Sequence, residues 1–384
     1  MNEGSGAKTS DVVIIGGGVI GLSIAWRAAT AGLSVTVVEE SPGRGASWAA
    51  AGLLAPITEV HHGEEQVLQL GVASLEMYPS FVAELEELTG ASVAYRSQGT
   101  LIVAPNADDF AALGDLYKLQ QELGLVSRAL KRRDARSLEP SLAPAFRAAW
   151  LIEGDHQIDN RALADALGAA CRMSGVQMIT DVAVAIDVAS DRARGVKLAS
   201  NSAVACDRVV LAAGCWSSAI DGIPDDVRPP VRPVKGQLLY LRGPADPPLI
   251  AHNVRGLDVY LVPRRDGRIV VGATVEEQGF DTTVTAAAVY QLLRDAYELV
   301  PGIGELELLE CVAGLRPGSP DNAPMLGESG LEGLLVATGH YRSGILLTPL
   351  TAETMTELLV TGRTPARIQP VSPQRFALTR GGVT

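Results

Sequence analysis

The sequence predicts an α/β fold in which a parallel-sheet domain is interrupted along the chain by a β-rich insertion. Three observations predict it. Short, β-branched apolar runs suited to strands buried on both faces occur at 11–15, 34–38, 208–213 and 334–337. Segments that alternate apolar and polar residues, most clearly from 235 to 275, lie between them. The 384-residue length suits two domains, or three, at roughly 150 residues each.

Along the chain, Asp11-Val12-Val13-Ile14-Ile15 reads as a buried strand and is followed at once by Gly16 to Gly21. Leu22 to Ala31 is Ala-rich at helical spacing and stops at Gly32, and Ser34 to Val38 is a second strand ending in Glu39-Glu40. Helices are expected at 66–90, 107–125 and about 155–175, with strands within 91–104 and at 176–182. A Pro-rich connection spans Pro224 to Pro233. Strands 258–263 and 268–275 flank Arg265-Asp266-Gly267, where Asp-Gly signals a hairpin turn. Helices over about 285–300 and 351–361 complete the pattern, and residues 1–10 read as a loose tail.

Composition narrows the function. A net charge of −12 repels phosphate backbones, so nucleic acid is excluded as a partner, and the short cluster Lys131-Arg132-Arg133 reads as a solvated helix start or loop. Cys171, Cys206, Cys215 and Cys311 form no Cys-x-x-Cys pair and read as free thiols of a reducing compartment. No signal peptide is visible, and no apolar run approaches the ~18 residues of a membrane span. A cytoplasmic protein without membrane contact is therefore expected. His61 and His62 lack partners at metal-ligand spacing and read as surface residues, and no metal site is expected.

Gly16-x-Gly18-x-x-Gly21 lies after a strand and opens a helix, with an acid at the end of the next strand. Gly16 permits the tight turn, Gly18 lets backbone approach a pyrophosphate, and Gly21 lets helix and strand pack closely. The helix start offers free N–H groups to an anion. Glu39 is placed to accept hydrogen bonds from ribose hydroxyls, which argues against a 2′-phosphate and thus against NADP. FAD and NAD both fit this fingerprint. Two further strands ending in Ala212-Ala213-Gly214 and Ala337-Thr338-Gly339 leave room for a longer cofactor and favour FAD.

Five stretches carry a resemblance to a known family. They are Val12 to Gly21; Gly45-Ala46-Ser47-Trp48-Ala49-Ala50-Ala51-Gly52; Val234-Lys235-Gly236-Gln237; Val259 to Arg264 with Val270 to Thr274; and Gly314-Leu315-Arg316-Pro317 with Gly339 to Ile345. In this order they resemble the D-amino acid oxidase family of flavoenzymes, and within it most closely the glycine oxidases of bacterial thiamine biosynthesis. Asp155 to Asp159 fits those relatives too. Ser343 stands where family members often have Asn.

The resemblance implies a discontinuous Rossmann-like FAD-binding domain from 10–80, 150–222 and 312–370. It implies a substrate domain on a large antiparallel or mixed sheet from 81–149 and 223–311, with tails at 1–9 and 371–384. It implies non-covalent FAD against Gly16, Gly18, Val19, Ile20, Gly21, Glu39 and Glu40. Ala46, Ser47, Ala51, Gly52 and Leu53 would lie by the flavin ring, with Val182, Ala213, Gly214 and Trp216 also at the cofactor. His340, Tyr341, Arg342, Ser343, Gly344 and Ile345 complete that set.

Arg316, at an apolar strand end, needs an anionic partner, and a guanidinium grips a carboxylate with two parallel hydrogen bonds. By resemblance that anion is the substrate carboxylate, shared with the Tyr260 hydroxyl, while Arg342 helps placement. The implied reaction oxidises glycine to its imine, then glyoxylate and ammonia, as O2 becomes H2O2. Rival readings are oxidation of an N-substituted glycine, for which Gly272 would leave room, a D-amino acid dehydrogenase, and a flavin-binding protein without turnover. A homo-oligomer, dimer or tetramer, is expected by resemblance alone.

Overall fold

The computed structural model describes residues 10–377. The expected tail at 1–9, and the expected 371–384 tail from 378 onward, lie outside the described residues. Among those described, seven α-helices follow in chain order: α1 (Val19–Thr30), α2 (Glu65–Thr89), α3 (Ala107–Glu122), α4 (Arg132–Leu138), α5 (Asn160–Met173), α6 (Ala286–Leu299) and α7 (Thr348–Thr361).

The apolar runs form the centre of one eight-stranded sheet. Strand Ser10–Ile15 pairs in parallel with Val35–Val38 on one side and Ala203–Leu211 on the other, and Ala203–Leu211 pairs in parallel with Leu334–Thr338. Alternation sends Val12 and Ile14 to a core shared with α1, α2, α5 and α7, and Val13 and Ile15 to the opposite face. That second face is covered by an antiparallel unit, Ala183–Ala189 and Arg192–Leu198, which continues into Ala203–Leu211. The sequence pattern did not separate those two strands, because each mixes polar and apolar residues around tight turns at Ser190 and Asn201.

The second sheet has eight strands, mostly antiparallel, running from Glu307–Gly318 through Arg232–Arg242, Arg268–Gly272, Tyr260–Pro263, Asn253–Arg255, Thr100–Ala104 and Ala148–Ile152 to Arg128–Leu130. Helix α6 covers one face, where Leu292, Ala296 and Leu299 meet Leu239, Leu241, Leu261 and Val271. Leu238, Tyr240, Val262 and Val270 point the other way, toward Ala51. The expected Asp266-Gly267 hairpin is present, with Gly267 at φ +83°.

Sheet membership moves several expected boundaries. Helix α2 extends the first domain to Thr89, since Phe81, Val82 and Leu85 pack in its core. Ala148–Ile152 and Glu307–Gly318 both belong to the second sheet, so the boundaries at 150 and 312 cut through strands. Within 91–104 only Thr100–Ala104 is a strand of that sheet, and the strand expected at 176–182 ends at Ile179. The tail expected from 371 starts too early. Val371 is buried, and Arg375 pairs with Asp321 at 2.8 Å, which pins residues 371–377 to the first domain.

Leu292→Ala removes a side chain buried between α6 and the sheet face that lies away from Ala51. We expect a loss of ~2–5 kcal/mol in unfolding free energy, measured by urea denaturation, without loss of cofactor binding.

Candidate active site

The two sheets enclose a cavity of about 1150 Å³, open at one side. Its size exceeds the usual drug-sized pocket and suits an extended ligand. Every expected site residue lines it except Gly21 and Ser343.

At one end lies the Gly-rich turn. Gly16 takes φ +111°, and a Cβ there would sit 2.3 Å from the Ala212 carbonyl oxygen, so the turn can pass under the neighbouring strand end only as glycine. Gly18 caps the start of α1 and offers no side-chain acceptor, although Ser47 Oγ accepts from Val19 N at 3.0 Å. The first turn therefore faces the cavity with backbone donors available to an anion. Glu39 accepts from Gly17 N at 2.8 Å and from Ser41 N at 2.9 Å, which orients its carboxylate at the cavity wall. Gly21 sits behind this wall: a Cβ there would be 1.9 Å from the Gly16 carbonyl oxygen, so its part is helix–strand packing.

The centre is backbone. Ala49 to Leu53 line the cavity with little side-chain bulk and are held from outside. Asn160 Nδ2 donates to Ser47 O at 2.8 Å and to Trp48 O at 3.2 Å. The Trp48 ring takes the guanidinium of Arg44 at 3.7 Å and that of Arg161 at 4.0 Å, and Arg161 also lies 4.1 Å from the Tyr240 ring and pairs with Glu310. Arg264, 5% exposed, donates to Ala51 O at 2.8 Å, Gln157 Oε1 at 3.0 Å and Asn160 Oδ1 at 3.2 Å. These supporting residues were not picked out from the sequence. The VPR end of the Val259–Arg264 stretch was the available signal.

At the other end, Arg316 extends from strand Glu307–Gly318 across Gly236. A Cβ on Gly236 would lie 2.4 Å from the guanidinium nitrogens. Arg316 donates to Thr274 O at 3.1 Å, with a longer 3.4 Å approach to Lys235 O, and forms no ion pair among the described residues. Tyr260 shares its cavity wall. Along residues 259–262, Tyr260 and Val262 pack on the side of Ala51, and Val259 and Leu261 join the core under α6. The Tyr260 hydroxyl makes no hydrogen bond to another described residue, and burial pushes it up to about 12 despite the nearby Arg316 charge, so it is a donor at neutral pH. The room expected at Gly272 is taken by the Tyr260 ring: a Cβ on Gly272 would meet the hydroxyl at 2.6 Å.

Residues 55–64 form part of the mouth. Glu59 pairs with Arg255 at 3.0 Å, and Glu64 pairs with Arg342 while accepting from Asn322 at 2.8 Å. Arg342 also donates to Glu59 O at 3.3 Å. Arg342 thus lies in the cavity wall as expected, but with its charge already matched by Glu64. His61 lines the mouth with its outer edge exposed, and partial desolvation together with the Arg342 charge lowers its pKa. His62 is exposed.

His340 is buried, with Nε2 3.1 Å from Thr351 Oγ1, and burial lowers it to about 3, so it is a neutral packing residue beside the cavity. Ser343 is turned inside a short 3-10 turn. Asp155, buried behind the mouth, accepts from Ile57 N at 3.2 Å and from Thr58 Oγ1, and burial raises its carboxyl to about 8. Cys171, Cys206 and Cys215 are buried free thiols, while Cys311 is half-buried. Among the described residues, no group of His, Cys, Asp or Glu is placed to hold a metal ion, and no helix is long and apolar enough to cross a membrane.

A two-sheet fold, an anion-ready helix start and, opposite it, a cavity arginine without an ion pair among the described residues define the class: a nucleotide-cofactor oxidoreductase. The chain belongs to the DAO family of FAD dependent oxidoreductases, whose model matches residues 11–358, and its cofactor is FAD. It is 36% identical over 97% of its length to the bifunctional protein ThiO/ThiG of Synechocystis sp., and spans about half (55%) of that relative. It is 34% identical to the glycine oxidase of Geobacillus kaustophilus, covering 96% of this chain and 97% of that one. The crystal structure of that oxidase matches with a TM-score of 0.87 at 32% identity, covering 96% of this chain and 99% of the other. Iminodiacetate oxidase of Chelativorans sp. matches with a TM-score of 0.85 at 25% identity, covering 94% and 98%.

Two predictions follow from this geometry. Gly236→Ala should displace the Arg316 guanidinium and weaken carboxylate binding on the order of tenfold or more, read by titration with a carboxylate inhibitor. Asp155 binds its proton up to about pH 8 when folded and only to its ordinary 3.8 when unfolded, so it contributes stability that declines as pH rises between these values. His340 opposes this below its ordinary 6.5, because the unfolded state then binds the extra proton. Between about pH 6.5 and 8 the Asp155 contribution stands alone, and Asp155→Asn should flatten the fall in stability there, measured by thermal denaturation across pH.

Proposed function

We propose that this chain is an oxidase of glycine, with Arg316 and Tyr260 holding the substrate carboxylate. One observation carries the reading: Arg316 presents a guanidinium to the cavity with no protein carboxylate paired to it, beside a protonated and unpartnered Tyr260 hydroxyl. A half-buried cation of this kind favours an anionic ligand, and a carboxylate accepts from both groups at once.

The bound flavin supplies the two-electron acceptor, with O2 as the terminal oxidant. The residues of the chain supply binding and orientation. Arg316 and Tyr260 fix the carboxylate, so the α-carbon is directed toward the small-residue segment Ala49–Leu53, where the ring is proposed to lie. Little acid–base help is required beyond loss of the ammonium proton, so orientation is the main contribution. The products are the imine, then glyoxylate and ammonia, with H2O2. Use of the imine in thiazole formation is supported by the similarity to the ThiO/ThiG protein.

The cofactor set would be the cavity residues from Gly16 to Ile20, Glu39, Glu40, Ala46, Ser47, Ala51 to Leu53, Val182, Ala213, Gly214, Trp216 and the 340–345 segment. In or beside these stretches Gly21 and Ser343, which do not line the cavity, and His340, hydrogen-bonded to Thr351, would support that set rather than touch the cofactor. Arg342, balanced by Glu64, shapes the mouth more than it binds the carboxylate. A second reading, oxidation of an N-substituted glycine, is favoured by the likeness to iminodiacetate oxidase and by the open mouth.

A peroxide assay across glycine, sarcosine, D-alanine, D-proline and N-carboxymethyl amines tests both readings. Glycine should give the highest kcat/KM; a preference for the N-substituted compounds would replace the first reading with the second. Substrate-dependent reduction of a quinone without peroxide would make the protein a dehydrogenase. Arg316→Ala should raise KM for glycine by about 100-fold, equivalent to about 3 kcal/mol from lost charged hydrogen bonds. An unchanged KM would remove Arg316 from the carboxylate site.

A further inference from the structure

We propose that Arg264 is a positioning residue that sets the distance between the substrate anchor and the backbone bed of the flavin ring. The inference rests on the reading that the ring lies against Ala49–Leu53.

Arg264 directly follows strand Tyr260–Pro263, so the segment that carries the Tyr260 hydroxyl also carries this guanidinium. Its three acceptors lie on other segments: Ala51 O, Gln157 Oε1 and Asn160 Oδ1. None is a carboxylate within ion-pair range. Asp159, the opposite charge that acts on it most strongly, is held by Arg268 at 2.8 Å. Burying a guanidinium on neutral acceptors is costly for stability alone, and an apolar side chain would fill the volume at lower cost. What the guanidinium adds is geometry. Its rigid planar donors hold three acceptors in a fixed mutual arrangement.

Gly52 shows how closely that arrangement is drawn. It takes φ +68°, and a Cβ there would sit 1.9 Å from Ile158 O and 3.1 Å from the Arg264 guanidinium. Ile158 N in turn donates to Gly52 O at 2.9 Å. The segment Ala51-Gly52 is therefore pressed between residues 157–160 and Arg264, with only the Ala51 methyl to pack it. Asn160 extends the brace, since the residue that accepts from Arg264 also donates to Ser47 O and Trp48 O. Arg264 thus links Tyr260, which touches the substrate, to the backbone proposed to touch the cofactor.

The test uses the FAD-loaded protein and the variants Arg264→Met and Arg264→Lys. In Arg264→Met we expect FAD affinity to fall on the order of tenfold and the long-wavelength flavin band to shift in shape. The rate of flavin reduction at saturating glycine should fall on the order of 10- to 100-fold, as sub-ångström to ångström misplacement of reacting groups predicts. KM for glycine should change less than that rate, because Arg316 and Tyr260 remain. Arg264→Lys, whose ammonium can reach Ala51 O but cannot span all three acceptors, should give intermediate values, and it carries the test alone if Arg264→Met does not fold. A variant that loses thermal stability but keeps the parental flavin spectrum and reduction rate would overturn the inference and leave Arg264 as a structural residue. If the unsubstituted protein takes up no FAD, the functional reading fails first, which separates the two failures.

Discussion

Ala49 to Gly52 cross the middle of the cavity with almost no side-chain bulk, and the geometry of the whole site depends on that bare backbone being held still. A segment of this composition has only alanine methyls with which to pack itself. Its position is supplied by neighbours distant in sequence: Asn160 on the Ser47 and Trp48 carbonyls, Arg161 and Arg44 on the Trp48 ring, and Arg264 on the Ala51 carbonyl. Hydrogen bonds to buried carbonyls are individually modest, but leaving those acceptors unpaired is expensive, so the network acts as a unit.

Electrostatics then separates the cavity's arginines by role. Arg161, Arg255 and Arg342 each have a carboxylate partner within the protein, and Arg264 is spent on neutral acceptors. Arg44 lies over the Trp48 ring, and Arg316 has carbonyl contacts only. Gly236 and Gly272 clear the space in which Arg316 and Tyr260 meet the cavity. The result is an unpaired guanidinium at the end of the cavity away from the Gly-rich turn, the subsite proposed for the substrate carboxylate. The mouth keeps a near-neutral pairing of Glu59, Glu64, Arg255 and Arg342. A small zwitterion fits this division, with its carboxylate at the deep cation.

Much of the fold was legible in the sequence because its strongest signals are local. The runs at Val12–Ile15, Val35–Val38, Val209–Leu211 and Leu334–Ala337 are apolar on both faces, which only a covered parallel sheet requires. The strands at Ala183–Ala189 and Arg192–Leu198 were not legible, since half their residues face solvent and their partners are chosen by the turn between them. The split of the strands at 150 and 312 has the same origin. Pairing across the second sheet is a long-range matter that no local pattern reports.

The sequence by itself determined which chemistry the chain can host: the Gly16–Gly21 turn with Glu39, the small-residue run Ala49–Gly52, and Arg316 with Tyr260 are matters of residue type and spacing. The tertiary structure alone decided how those groups divide the work. It gave Arg342 a counter-ion and Arg316 none, turned His340 toward Thr351, placed Gly21 behind the cavity wall, filled the space beside Gly272 with the Tyr260 ring, and made Arg264 the brace of the central backbone. Charge balance and close packing depend on neighbours that are distant in sequence, so the role of an arginine becomes readable only once the chain has folded around it.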